Sequence, residues 1–140
     1  MRFHLKDKVH KTILVISDLH LGAGVIVSNR FNFLEDFHYD KELVELLQFY
    51  STGDYAYRDV ELVVNGDFFD FLAVPFIPYF DDMFWSEDAA LEKLKMIIAA
   101  HPQVIEGMIH FLQTSKKEIV YTLGNHDGEI ILPAVKKYLK

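Results

Sequence analysis

Three short apolar runs in this 140-residue chain each end on a cluster of polar side chains able to bind a metal. Residues 12–17 (TILVIS) run into Asp18-Leu19-His20, residues 61–65 (ELVVN) into Gly66-Asp67-Phe68-Phe69-Asp70, and residues 118–123 (EIVYTL) into Gly124-Asn125-His126-Asp127. Stretches with helical spacing lie between them. The order strand, helix, strand, helix, strand, helix predicts an α/β fold with parallel strands and right-handed crossovers. In such a sheet, ligand sites gather beyond the carboxyl ends of the strands. The three polar clusters are therefore expected at one edge of one sheet, where they suit divalent cations better than they suit packing.

The first strand, residues 11–17, is apolar at consecutive positions, as expected of a strand buried on both faces. Residues 23–39 read as a long connection containing Asn29, Arg30, Phe31, Phe33 and Phe37. Asp40 is expected to cap a helix over residues 41–50, where Leu43, Leu46, Leu47 and Tyr50 recur at helical spacing. Residues 51–54 then form a turn, and the second strand is expected at residues 60–65. From Phe71 to Trp85 the chain holds two prolines and six aromatics, which fits neither a regular helix nor a central strand. Ser86 is expected to cap the next helix, with Glu87 and Asp88 in its first turn. Leu91, Leu94, Ile98, Ile105, Met108, Ile109 and Leu112 make a helical stripe, which Pro102 kinks or divides into two helices. The third strand is expected at residues 118–123, and a last helix starts near Pro133. No internal repeat, low-complexity tract or domain linker interrupts this order.

The length is that of one domain. With 14 Lys and Arg against 21 Asp and Glu, the formal charge is −7. An acidic surface repels phosphate backbones, which argues against sequence-independent nucleic-acid binding. A bound cation still attracts a phosphate locally, because it is often the largest charge in its site. The absence of cysteine excludes a disulfide framework, a thiolate metal site and a cysteine nucleophile. The first eleven residues lack the apolar core of a secretory signal, and no apolar run approaches the ~18–20 residues that cross a bilayer. Cytoplasmic residence is the default expectation. The 12 Phe, 7 Tyr and 1 Trp fit a large core, a lipid-facing surface or an interface.

Taken together, D-x-H (Asp18, His20), G-D-x-x-D (Gly66, Asp67, Asp70) and G-N-H-D (residues 124–127) resemble the first three signature motifs of the calcineurin-like metallophosphoesterase family. The resemblance spans residues 13–127 and rests on the motif residues, in the family's order and each behind a β-run. It implies a layered α/β fold with a mainly parallel sheet flanked by helices. It also implies a metal-dependent hydrolase of a phosphomonoester, phosphodiester or nucleotide-linked pyrophosphate. Family members carry a further histidine and a Gly-His-x-His loop downstream, and no such motif follows residue 127 here. The chain is therefore expected to be the N-terminal part of a single metallophosphoesterase domain, an incomplete half of that fold.

Residue by residue, the resemblance makes Asp18 and His20 ligands of a first metal. In extended backbone the two side chains point the same way, and one carboxylate with one imidazole suits Mn²⁺, Fe²⁺ or Zn²⁺ better than Ca²⁺. The plainer reading is a solvated loop aspartate and a buried histidine. Asp67, after a glycine that permits a tight turn, is implied as a carboxylate shared by two metals. Asp70 is read as hydrogen-bonded to a ligand histidine, fixing its tautomer, with a helix N-cap as the alternative. Asn125 is implied as an amide ligand of the second metal. His126 is implied as the catalytic acid or phosphate contact, with Asp127 holding its ring and raising its pKa, although a metal ligand or a surface imidazole also remains open. The implied mechanism uses two divalent ions about 3.5–4 Å apart and a hydroxide that they activate.

Four ligands are roughly half of the family's set. The isolated chain is accordingly expected to bind at most one metal tightly and to hydrolyse phosphoesters weakly or not at all. Residues 71–85 are open to reading as a substrate lid, an acyl-chain groove or an interface, and Arg30 as a phosphate contact or a surface arginine. A non-catalytic scaffold of the same fold and a nuclease are the competing functions. Exposed apolar surface and an unpaired sheet edge are expected to favour self-association.

Overall fold

The three apolar runs pair side by side as one parallel sheet. A computed structural model describes residues 11–75 and 86–140. In chain order these residues form β1 (Thr12–Ile16), β2 (Ile26–Val27), β3 (Arg30–Phe31), α1 (Asp40–Phe49), β4 (Val60–Asn65), α2 (Glu87–Ala100), α3 (Pro102–Gln113), β5 (Lys117–Thr122) and α4 (Pro133–Tyr138). Single 3₁₀ turns lie at Gly53–Tyr55 and Gly128–Ile131. The sheet order is β1-β4-β5, with Ile16 opposite Val64 and Val64 opposite Tyr121. All three strands therefore leave the sheet at one level and one end. The expected strand at residues 60–65 is matched, β1 is one residue shorter at each end than expected, and β5 keeps the expected length but starts one residue earlier.

One face of the sheet is the core. Val60, Leu62 and Val64 alternate inward along β4 and meet Leu43 and Leu47 of α1, Leu94 and Ile97 of α2, and Val104 and Phe111 of α3. Burying a side chain of this kind contributes roughly 1.5–3 kcal/mol, so these contacts fix which face turns inward. The other face departs from the expectation that β1 is buried on both sides. Ile13 (57% exposed), Val15 (64%) and Val120 (41%) lie on it beside Glu61 and Glu118. Lys11 Nζ spans Glu61 at 2.6 Å and Glu118 at 3.0 Å. A run of consecutive apolar residues thus proves compatible with a strand that has one covered face.

The helices follow their local signals with small corrections. Ser86 Oγ accepts the Ala89 N–H at 3.1 Å, as a cap should. Asp40 is not the cap of α1 but its first helical residue, because its carboxylate is engaged instead with His101. Pro102 opens a second helix, leaving His101 at the corner between α2 and α3. The buried stripe there runs through Ile97, Val104 and Phe111, while Ile109 and Leu112 of the expected stripe are exposed.

Within the expected connection 23–39, Ile26–Val27 and Arg30–Phe31 pair as a two-residue hairpin. Ser28 and Asn29 carry its turn at φ +49° and +62°, the sign that the tight hairpin turn needs. Phe71 and Val74 are buried, whereas residues 76–85 lie outside the described residues. Among the described residues no helix is long and apolar enough to cross a membrane.

Candidate metal centre

The sheet ends before its polar residues begin, and the backbone there turns left-handed. Asp18, His20 and Asp67 have φ of +55°, +55° and +51°. Asp and His tolerate this region better than most residues, at a cost of about 1–3 kcal/mol each. Such a conformation persists only where neighbours dictate it. Here the backbone ladder continues past the strands: Asp18 N–H donates to Gly66 O, His20 N–H to Asp67 O at 2.9 Å, Leu21 N–H to Phe68 O at 2.8 Å, and Asp70 N–H back to Leu21 O at 2.8 Å. Phe71 N–H donates to His126 O at 3.1 Å, tying the second loop to the third. The extended backbone expected for Asp18-x-His20 is thus replaced by two left-handed residues, and the side chains still converge.

Glycines allow the β4 and β5 exits to touch. A Cβ on Gly66 (φ +80°) would lie 3.1 Å from Gly124 Cα, and one on Gly124 would collide with the Asp67 carboxylate. Across this gap the His126 N–H donates to Asp67 Oδ1 at 2.8 Å, which leaves the second carboxylate oxygen open.

Asp18, His20 and Asp67 each bring one donor atom within 4.8 Å of the others, and His20, Asp70 and His126 form a second such group. The two overlap at His20. His20 Nδ1 meets Asp70 Oδ2 at 3.0 Å, so its Nε2 is the nitrogen free for a cation. His126 Nδ1 lies 3.0 Å from Asp70 Oδ1, an ion-pair contact rather than an aligned hydrogen bond. The two rings stand edge to face with centroids 4.5 Å apart. Asp70 is itself fixed, since its Oδ1 accepts from Leu72 N–H at 3.0 Å and Ala73 N–H at 2.9 Å. It therefore caps a turn, not a helix, while holding both rings. The Asp70 carboxylate is the main cause of a raised His126 pKa, which favours the imidazolium.

One expectation is corrected. Asp127 adds only a minor share to the raised His126 pKa and does not hold its ring, because it is fully buried and hydrogen-bonded elsewhere. Its carboxylate accepts from Phe68 N–H at 3.1 Å, Gly124 N–H at 2.6 Å and the Tyr121 hydroxyl at 2.6 Å. Burial first, and then the hydrogen bond to Asp127, push the Tyr121 hydroxyl well above the ordinary phenol range, so it stays a donor. Asp127 is a knot between the second and third loops. Asn125 is exposed, one residue before the His126 that binds Asp67. Arg30 is exposed on the hairpin.

Among the described residues the Asp18 carboxylate has no protein hydrogen bond, one Asp67 oxygen is open, and His20 Nε2 is unengaged. Two carboxylates and one imidazole that keep open lone pairs while crowding together fit a divalent transition ion. A family model of calcineurin-like phosphoesterases matches residues 11–139. The chain belongs to that family. No curated protein and no solved structure gives a significant match. This calcineurin-like phosphoesterase is, in general terms, a metal-dependent phosphoester hydrolase with candidate ligand groups for divalent metal.

Two buried groups near the phosphoesterase site carry no motif. Glu35 (5% exposed) accepts the Gly22 N–H at 3.2 Å and Phe37 N–H at 3.3 Å, and also takes the Gly24 N–H. His101 (4% exposed) sets Nδ1 2.8 Å from Asp40 Oδ1 and Nε2 3.5 Å from Glu35 Oε1. The only hint in the sequence is the pair of glycines directly after the D-x-H motif.

Proposed function

We propose that this chain contributes a dinuclear hydrolytic centre for small phosphorylated substrates: a phosphomonoester, a phosphodiester or a nucleotide-linked pyrophosphate. Asp18, His20 and Asp67 would hold a first divalent ion (Mn²⁺, Fe²⁺ or Zn²⁺), and Asp67 with Asn125 would offer donors to a second. When bound, such ions supply Lewis acidity and lower the pKa of water towards ~7.

The chain's own residues do the rest. Asp70 fixes the His20 tautomer so that Nε2 is left for the cation, and it orients the His126 ring and favours its protonated form. His126 then donates its proton to the departing alkoxide oxygen or hydrogen-bonds the phosphate, which is general acid work. The observation that carries this reading is the convergence of Asp18, His20 and Asp67, 49 residues apart at the extremes (67 − 18), with open lone pairs. The acidic net charge favours a small substrate over a nucleic-acid duplex.

The test is Mn²⁺-stimulated cleavage of para-nitrophenyl phosphate and of its bis-ester, compared between wild type and Asp67→Ala. Hydrolysis that needs Mn²⁺ and disappears in the variant is the expected result. Equal rates in the two proteins, or no metal dependence, overturn the proposal. The ratio of the two substrates separates monoesterase from diesterase chemistry.

A further inference from the structure

The loop that follows the D-x-H motif is anchored from a direction that the metal centre does not explain. Leu21, bonded to the second motif through Phe68 O and Asp70 N–H, is followed at once by Gly22 and Gly24, and both of their N–H groups point to the Glu35 carboxylate. The fit is tight. A Cβ on Gly22 would come within 2.6 Å of Glu35 Oε2, and one on Gly24 (φ +84°) within 3.0 Å of Ala100 at the end of α2. Asn32, also buried, donates to Gly24 O at 2.9 Å from the other side.

A carboxylate this buried needs a counter-charge. His101 supplies it from the α2–α3 corner, and Asp40 from the first turn of α1 holds the other side of the ring. Glu35 and Asp40 are the charged groups facing His101 from the connection and from α1. Burial opposes a charged ring here, but the two carboxylates outweigh it and His101 is raised; Glu35, despite its own burial, is lowered by His101 and the glycine N–H groups. The relay thus runs from α1 through His101 and Glu35 to a backbone two residues from His20.

We propose that Glu35, backed by His101, is a positioning residue for the metal centre, holding the His20 segment in the left-handed conformation that aims its ring at the cation. This rests on the metal-centre reading above. Loss of a group supporting a metal ligand typically costs about 10–100-fold in affinity.

The experiment uses the full 140-residue chain and the variants Glu35→Gln, Glu35→Ala, His101→Gln, Asp67→Ala and, as a core control, Val104→Ala. Amide hydrogen exchange without metal is read at Gly22 and Gly24 against Leu62 in β4, and Co²⁺ is titrated by absorbance and calorimetry. In Glu35→Ala, exchange at the two glycines rises about tenfold relative to Leu62, Co²⁺ affinity falls about tenfold and the visible spectrum changes. Glu35→Gln and His101→Gln give smaller shifts in the same direction. Val104→Ala speeds all amides together and leaves the spectrum alone. Glycine exchange that follows Leu62, or wild-type Co²⁺ binding in both Glu35 variants, overturns the inference. If Asp67→Ala also binds Co²⁺ like wild type, the metal centre itself fails and takes the positioning role with it. Local glycine exchange would then mark Glu35 as a loop anchor alone, so the two failures are told apart.

Discussion

The two ends of one sheet treat charge in opposite ways. At the amino end of β5, the Lys117 ammonium donates to Tyr55 O, Arg58 O and Ser115 O, each at 3.0 Å. Its three N–H donors are matched to three backbone carbonyls. At the carboxyl end, Asp18, Asp67 and His20 are crowded together with lone pairs left open, on backbone that is costly to hold. The first arrangement is complete without a ligand. The second keeps donor atoms open that a divalent ion would fill, and open donors, rather than charge or burial, separate a candidate site from a strut.

The sharpest way to break this contrast is at His126. His126→Ala is expected to lower kcat for para-nitrophenyl phosphate by about 10²–10⁴-fold while the thermal midpoint barely moves. A large loss of stability with kcat intact would reverse the assignment. Lys117→Met is the converse: about 1–3 kcal/mol of stability lost in chemical denaturation, from the loss of the ammonium's hydrogen bonds to three carbonyls, with Co²⁺ affinity unchanged. Next in size, Asp70→Asn is expected to weaken Co²⁺ binding about tenfold, measured by calorimetry, because His20 loses the carboxylate that sets its tautomer.

A smaller effect is expected from pH. His101 is raised above its unfolded value near ~6.5, so its contribution is complete below that pH and fades as pH rises through the folded value. Glu35 is lowered below ~4.3, so its contribution is complete above that pH and is lost as pH falls through the folded value. Thermal midpoints followed against pH should therefore decline on the alkaline side in wild type, and less so in His101→Gln. Smallest of all, Val15→Thr on the uncovered sheet face should change stability by no more than about 0.5 kcal/mol. A loss of several kcal/mol would mean that something covers that face. A rise in apparent mass with concentration in wild type, abolished by Val15→Thr, would identify the cover as a second copy.

What could be read in the sequence was what neighbours in the chain decide. The β-branched run at residues 60–65, the Ser86 cap and the proline at 102 act within a few residues, and the structure follows them. The three polar clusters were also legible, since parallel strands must deliver their carboxyl ends to one edge. Misreadings came where a partner distant in sequence decides. Asp40 looked like a cap and was claimed by His101, 61 residues away. Asp127 looked like a partner of its neighbour His126 and was claimed by Phe68, 59 residues away. Ile13 and Val15 looked buried because apolarity was visible while the single layer of covering helices was not. Glu35 had no signal of its own, because a carboxylate that binds backbone N–H groups leaves no pattern of side chains to match.

The left-handed turns at residues 18, 20 and 67 also bear on how this centre can be re-engineered. A backbone with positive φ accepts glycine, asparagine, aspartate and histidine far more readily than branched or bulky residues. Swapping the donors for a different metal would therefore meet a conformational filter before coordination chemistry had any say. Variant libraries at these positions should return a narrow alphabet even when selected for folding alone.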